Sequence, residues 1–430
     1  MVGEMGNKLE ILQNNRDKIL LAEIGALIHD LGKLSEIFIR KQSLEESKKY
    51  GDYHHSKVLE YDSDKCHKYH HPNECEMEHL AKVLTDLLKR KIELDGEEIT
   101  IYEIIEKHHD NVDKLLLKFI TSADTFDADE DRAGAKDEQS ICKTFKSSAF
   151  GYEKEINIEI LLSERKKSYR HIIDYLDSLL VAISCNFDKI STSKLKYKRK
   201  ICFEKIKKSF SKTLGMTARS ANDVLLWEHS YMTATIMKCL LGQYLIVKKV
   251  LENDSKLDEE TVQKYEEFLN DLKSGIKPKD IIKNNRPFSV FTIGWDFFGF
   301  IEQSHKIPDI VGRTKILDKI KREIKNIIEV DYVLGNEIYC DDFGIHFLIP
   351  SVLNEDDLEK IKEEIFKIFN EKTDGILLPI FVLTTSNDIE GDYKLGKLLS
   401  ESLKQLKRKI NNREYELLKT PIFIEKKFEF

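Results

Sequence analysis

"LLAEIGALIHDLGKLSEIF", residues 20–38, is the stretch on which the reading of this chain turns. Leu20, Ile24, Leu27, Ile28 and Leu31 recur at helical spacing, which predicts a buried helix face. His29 and Asp30 fall inside that face. A carboxylate there is costly unless something pairs with it or ligates it. A metal ion would do so, because it accepts both imidazole nitrogen and carboxylate oxygen. The alternative is an ion pair between Asp30 and Lys33 beside a satisfied core histidine.

The other histidines bear on that choice. They concentrate in the first part of the chain: His29, His54, His55, His67, His70, His71, His79, His108 and His109. His70-His71 lies in "CHKYHHPNECEMEHL". His108-His109 precedes a helical pattern with an apolar face at Leu115, Leu116, Phe119, Ile120 and Ala123, which ends in Asp124. Asp124 therefore points inward as well. Cys66, His67, Cys75 and His79 admit a zinc reading, although the cysteine spacing is wrong for a knuckle.

With 430 residues and 41% hydrophobic content, the chain is long enough for two or three domains with cores. Charged residues make up 34% and Pro only 7 residues, which fits a helix-rich soluble protein. No apolar run suggests a signal peptide or a membrane span. The 7 Cys are scattered, as expected of reduced thiols in a cytoplasm. The net charge of -7 argues against a chain coated with basic residues for duplex DNA. One basic stretch exists, "KLKYKRKICFEKIKKSFSK" at 194–212, with Glu204 its single acid. It reads as a solvated helix face or as a contact for nucleic acid or a partner, with Tyr197, Phe203 and Phe210 available for base stacking.

Helices are expected over 9–40, 79–93, 100–123, 156–185 and 197–212, with a polar stretch at 41–78 and a loop from "ADTFDADEDRAGAKDEQS" onward. Residues 225–251 read as a long apolar helix or helix pair, and 251–285 as a charged connector. The texture then changes. "FSVFTIGWDFFGF" predicts a strand, "DIVGRTKILDKIKREIKNIIE" a helix and "NEIYCDDFGIHFLIP" a hairpin. "EDDLEKIKEEIFKIF" predicts a helix, "ILLPIFVLTT" a strand and "LGKLLSESLKQLKRKI" a helix. The order β-α-β-β-α-β is that of a ferredoxin-like unit. The expected domains are thus 1–250, a helical connector at 251–285, and 286–430.

"GALIHDLGKL" and "SADTFD" resemble the central and terminal motifs of the HD metal-dependent phosphohydrolase superfamily. The superfamily's first histidine is missing upstream. "LWEHSYMTATIMKCLL" resembles the helix that carries it, which makes His229 the counterpart in a circularly permuted, all-helical HD domain. The resemblance implies metal ligands among His29, Asp30, His70, His71, His108, His109, Asp124 and His229. Asp30 and Lys33 would serve catalysis, Lys33 by contacting phosphate. Within each doublet either histidine can be the ligand. Mn, Ni or Co ions suit such a donor set.

In the second half, Asp296 and Asp341-Asp342 would converge at neighbouring places in the sheet and bind Mg²⁺ with ATP. This resembles the palm of nucleotide cyclases and GGDEF-type enzymes, with Tyr339-Cys340 where that family has two glycines, a change that suggests degeneracy. A permuted HD domain, "TARSANDVLLWEHS" and a palm together resemble the large, polymerase-like subunit of type III CRISPR–Cas antiviral effectors. Members of that family continue into a second palm with a Gly-Gly-Asp-Asp motif and a helical C-terminal domain. Neither is expected within these residues. The resemblance implies cleavage of single-stranded DNA at the HD site. It also implies cyclic oligoadenylate synthesis shared with a second palm-bearing chain, and guide RNA and other effector subunits as partners. The competing readings are an HD phosphohydrolase of nucleotide signalling with a degenerate cyclase-like domain, and a non-catalytic scaffold.

Overall fold

The computed structural model describes residues 8–41, 54–56, 75–110, 113–131, 145–147, 153–155, 158–184, 189–213, 215, 224–253, 257–274 and 276–414. His70 and His71, like Cys66 and His67, lie outside the described residues. The described chain is mostly helical with small antiparallel sheets, an α plus β protein. Among the described residues no helix is long and apolar enough to cross a membrane. The chain packs as two units. One comprises Asp17–Leu241 and Asn270–Ile282; the other comprises Met1–Arg16, Gly242–Leu269 and Lys283–Phe430.

The helix expected over residues 9–40 is broken. It becomes α1 (Lys8–Asn14), α2 (Arg16–Leu27), a 3-10 turn (Leu31–Leu34) and α3 (Glu36–Lys41). His29 and Asp30 occupy the break after α2 rather than the middle of a helix. A histidine ring at a helix end can bond a terminal carbonyl, which makes the break self-satisfying. After α4 (Cys75–Leu87), residues 91–93, expected as helix, form strand instead. β1 (Lys91–Leu94) and β2 (Glu97–Thr100) pair as a hairpin. Asp95 (φ 54°) and Gly96 (φ 80°) form its two-residue turn, and an Asp-Gly pair is the sequence that accepts two positive φ values.

The helix expected over 100–123 is two helices. α5 (Ile101–Lys107) starts at a capping box between Thr100 and Glu103. α6 (Leu115–Asp131) continues into the segment expected to be loop as far as Asp131, so Asp124 sits mid-helix. The short strands β3 (Phe145–Ser147) and β4 (Glu153–Glu155) pair with each other. α7 (Ile158–Ile183), α8 (Lys189–Phe210) and α9 (Leu226–Asn253) follow, the last a single continuous helix.

The first unit holds a buried charge cluster. The Glu23 carboxylate accepts from Arg199 Nη2 at 2.5 Å and Nε at 3.3 Å, and from Lys238 Nζ at 3.2 Å. All three side chains are almost fully buried. Such a cluster adds specificity more than stability, because each charge has left water. Here it fixes α2, α8 and α9 to one another. α8 itself corrects an expectation about base stacking. Phe203 is 8% exposed and Phe210 0%, so neither is available; both belong to the apolar stripe with Leu195, Cys202 and Ile206. Tyr197, at 60%, remains exposed. Arg199 is spent on Glu23 and Phe203, whereas Lys194, Lys200, Lys207 and Lys208 face solvent.

Beyond α10 (Glu259–Lys273) and α11 (Pro278–Asn285), which fill the expected connector, lies the sheet of the second unit. It is built from β5 (Phe288–Gly294), β6 (Asn336–Cys340), β7 (Gly344–Pro350) and β8 (Ile380–Thr384), in the order β6-β7-β5-β8 and antiparallel throughout. α12 (Phe297–Glu302) and α13 (Ile307–Asn326) join β5 to β6. α14 (Glu359–Thr373) joins β7 to β8, and α15 (Leu395–Asn412) follows. Every residue of β5 and β7 is buried, as expected of central strands. Gly294 and Gly344 face each other in the register. A Cβ on Gly294 would collide with Leu406 of α15, and one on Gly344 would lie 2.9 Å from the Ile293 carbonyl oxygen. The hairpin end of the sheet therefore closes only with glycine.

His346 is buried in β7, with Nδ1 2.7 Å from Thr292 Oγ1. Burial pushes it down from 6.5 to about 4, with Asp341 opposing weakly. The unfolded chain takes up a proton near pH 6.5 that the folded chain refuses until about 4. Stability is thus lost as pH falls from 6.5 to about 4 and is constant below. The difference is about 3 kcal/mol. Urea midpoints at pH 7 and pH 4.5 should separate more for the wild type than for His346→Gln. Equal separation would remove the assignment.

Candidate metal centre

Five separate segments of the first unit bring their donors to one point. Two of the donors are built the same way. His29 follows the last turn of α2 and donates from Nδ1 to the Ala26 carbonyl at 2.7 Å. His108 follows α5 and donates from Nδ1 to the Ile105 carbonyl at 2.7 Å. A carbonyl can only accept, so Nδ1 carries the proton in both rings and Nε2 is left with its lone pair. Both Nε2 atoms are buried without a hydrogen-bond partner.

α6 supplies Asp124 and, one turn later on the same face, Asp127. α6 begins where Glu97 accepts from the Leu115 N–H at 3.0 Å. α9 supplies His229 from its first turn, which is set by Glu228 accepting from the Leu225 N–H at 3.0 Å. His229 Nδ1 donates to Asp127 Oδ2 at 2.6 Å, and its Nε2 lies 3.1 Å from Asp124 Oδ1 and 3.4 Å from Asp30 Oδ2.

Asp30 is the hub. Its Oδ2 lies 3.5 Å from His29 Nε2, and its Oδ1 lies 2.7 Å from His55 Nε2 and 3.8 Å from His108 Nε2. Lys33 Nζ lies 2.5 Å from Asp30 Oδ2 and also donates to the Gly215 carbonyl at 2.6 Å. The Asp30–Lys33 pair is thus present, but it is only part of what surrounds the carboxylate. Gly32 makes the His55 contact possible, because a Cβ on Gly32 would collide with the His55 carbonyl oxygen.

The charges follow from this packing. Burial would raise the Asp30 carboxyl, but the Lys33 ammonium and the His29 and His55 rings outweigh it and hold it well below the usual range. Asp124 is likewise held low against burial, chiefly by the hydrogen bond from His229. Burial would lower His229, yet its bonds to Asp124, Asp127 and Asp30 push it well above its ordinary value. Burial, then the neighbouring His29 and His109 rings, hold His108 well below. Desolvation by the rings packed against it takes His109 down to about 4, although part of the ring stays open to solvent.

The donor set fits a borderline divalent ion. Two groups are of metal-binding size: His29, Asp30 and His229, and Asp30, His55 and His108. They combine imidazole with carboxylate. The two orphaned Nε2 atoms face into the cluster, and a ligand ring held at its other nitrogen is the arrangement metal sites use. Of the expected ligands, His29, Asp30, His108, Asp124 and His229 come together. His109 lies outside this buried group, against His55 and His54. Two contributors, His55 and Asp127, were not singled out from the sequence. His55 belongs to a third doublet, "YHHS", and Asp127 follows Asp124 by three residues on a helix.

The acids of the second unit do not form such a group. Asp296 Oδ1 caps α12 through the Gly299 N–H at 2.9 Å. Asp341 Oδ1 accepts from Phe343 N–H at 2.8 Å and Gly344 N–H at 3.0 Å, closing the hairpin. Asp342 is exposed. No metal-sized group among the described residues includes any of the three.

No protein-family model and no curated protein matches this chain. Solved structures do. The crystal structure of a Csm1–Csm4 cassette in complex with pppApA aligns over 93% of this chain and 49% of its own, at 14% identity and TM-score 0.47. The apo Csm1–Csm4 cassette aligns over 92% and 48%, also at 14% and 0.47. Csm1 in T. onnurineus aligns over 92% and 49%, at 13% and 0.45. These structural neighbours are Csm1 proteins, two of them within Csm1–Csm4 cassettes. The chain spans about half the length of these neighbours.

The geometry ranks the substitutions. Asp30→Ala, which removes the donor common to both groups, should abolish bound transition metal in elemental analysis of a protein whose circular dichroism is unchanged. Asp127→Asn keeps every direct donor and only loosens His229, so it should weaken metal affinity by about 10–100-fold. Equal metal in the wild type and Asp30→Ala would refute the centre.

Proposed function

We propose that this chain is the large, polymerase-like subunit of a type III CRISPR–Cas effector, or its N-terminal half. In this reading its buried centre is a metal-dependent nuclease for single-stranded DNA. The observation that carries the reading is the meeting of His29, Asp30, Asp124 and His229, with His229 last in the chain. That order is the one a circularly permuted HD domain requires. The strand order β6-β7-β5-β8 supports a ferredoxin-like palm after it. In this reading the domains divide as 1–250, 251–285 and 286–430.

His29, Asp30 and His229, with Asp124 beside them, would hold one ion, and Asp30, His55 and His108 a second, with Mn, Ni or Co as the matching metals. Bound there, such ions supply Lewis acidity towards phosphate oxygens and an attacking water. The protein's own residues do the rest. Asp127 holds the His229 ring in orientation. Lys33, tethered by the Gly215 carbonyl, presents an ammonium beside Asp30 for a phosphate oxygen. The buried positions of His29, Asp30 and His108 limit access by bulk water.

The depth of the centre favours a flexible substrate. A single strand can bend a phosphate into a recess between helices, and a stiff duplex cannot. The exposed lysines of α8 and Tyr197 suit a strand's backbone and bases. Guide RNA, other effector subunits and a second palm-bearing chain complete the assembly, which works in the cytoplasm. With Mn²⁺, the chain should cut single-stranded DNA, spare duplex and slow as salt rises; Asp30→Ala should be inactive. Hydrolysis of mononucleotides with intact single-stranded DNA would replace this reading with a signalling phosphohydrolase.

The palm by itself is inactive in this reading. Asp296 and Asp341 are engaged with backbone, and Tyr339, 41% exposed, stands where a nucleotide-binding palm has glycine. Incubation of the chain alone with ATP and Mg²⁺ should give no cyclic or linear adenylates by chromatography. Product that disappears in Asp341→Ala would reverse this.

A further inference from the structure

The fold gathers more imidazoles than the buried centre uses. His54 and His109 are exposed, and His55 touches both them and Asp30. The His54 and His55 rings stack with centroids 4.8 Å apart and planes at 21°. The His109 ring stands edge-on to both, at 4.8 Å from His54 and 5.1 Å from His55. His109 Nε2 lies 3.2 Å from His55 Nε2, and His54 Nδ1 lies 2.7 Å from Ser56 Oγ. One nitrogen from each of the three rings lies within 4.8 Å of the other two. Two segments far apart in sequence supply them, so the cluster is a product of the fold and not of a histidine run.

We propose that His54, His55 and His109 form a third, all-nitrogen metal position on the solvent side of the buried centre. It would take a late transition ion such as Ni²⁺, Zn²⁺ or Cu²⁺. This goes beyond the nuclease reading and does not need it. The donor chemistry sets the ion. The buried groups contain Asp30, whereas the outer group has no carboxylate. Imidazole-only sites follow the rising affinity from Mn²⁺ to Cu²⁺, and Mn²⁺ and Mg²⁺ favour oxygen. Three protein ligands leave further positions to water.

The two places share an atom. His55 Nε2 lies 2.7 Å from Asp30 Oδ1 and 3.2 Å from His109 Nε2.

The test is equilibrium dialysis of the untagged full chain against Ni²⁺, read by elemental analysis, with Mn²⁺ in parallel. The wild type should hold a Ni²⁺ ion that His54→Ala and His109→Gln each bind at least about tenfold more weakly, while both keep the ions of the buried centre. Mn²⁺ uptake should not distinguish these variants from the wild type. Asp124→Asn should keep the outer Ni²⁺ and lose metal from the buried centre. Unchanged Ni²⁺ binding in His54→Ala and His109→Gln would overturn the outer position, as would loss of every ion in either variant or a His109-dependent Mn²⁺ ion. An Asp124→Asn protein with wild-type metal content would instead count against the buried centre, so the two failures are distinct.

Discussion

One buried carboxylate organises the first unit. Asp30 has almost no contact with water, yet it remains ionised because imidazoles and an ammonium surround it. Its two oxygens face different partners: His29 and His229 on one side, His55 and His108 on the other. An unpaired charge in that position costs several kcal/mol, so segments that could drift are held against it. The 3-10 turn, the His54–Ser56 segment, the end of α5, the middle of α6 and the start of α9 all take their places around this group.

The supports behind the donors are as specific as the donors. His29 and His108 are each turned by the carbonyl three residues earlier, and His229 by Asp127. These bonds decide which ring nitrogen faces inward. Glu23 works one layer further out. It ties Arg199 and Lys238 to α2, and so fixes the helix that presents His29 and Asp30 against the helix that carries His229. Gly32 contributes by what it lacks, since any side chain there would displace His55.

The second unit shows how the same residue type serves a different end. Asp341 lies on a tight hairpin, and two backbone N–H groups take its carboxylate before any ligand can. Asp296 is consumed in the same way as a helix cap. Asp30, by contrast, finds side chains from elsewhere in the fold rather than nearby backbone donors. Local hydrogen bonding thus separates structural acids from acids left to react with something outside the chain.

The sequence by itself determined the local alternatives. Strand and helix follow each other from residue 288 to 412 as their apolar spacing dictates, because alternation and helical periodicity are short-range properties. His29, Asp30 and Asp124 were legible as inward-facing polar groups for the same reason. Other features were misread although their signal was local: the strand β1, which begins inside the helix expected over 79–93, and the continuation of α6 past Asp124. Tertiary structure decided the remainder. It chose His55 as the doublet member facing Asp30, placed His109 outside the buried group, and buried Phe203 and Phe210 in the apolar stripe of α8. Adjacent residues in a doublet have the same chemistry and the same local pattern. Only packing against distant segments gives one of them a partner and leaves the other to solvent.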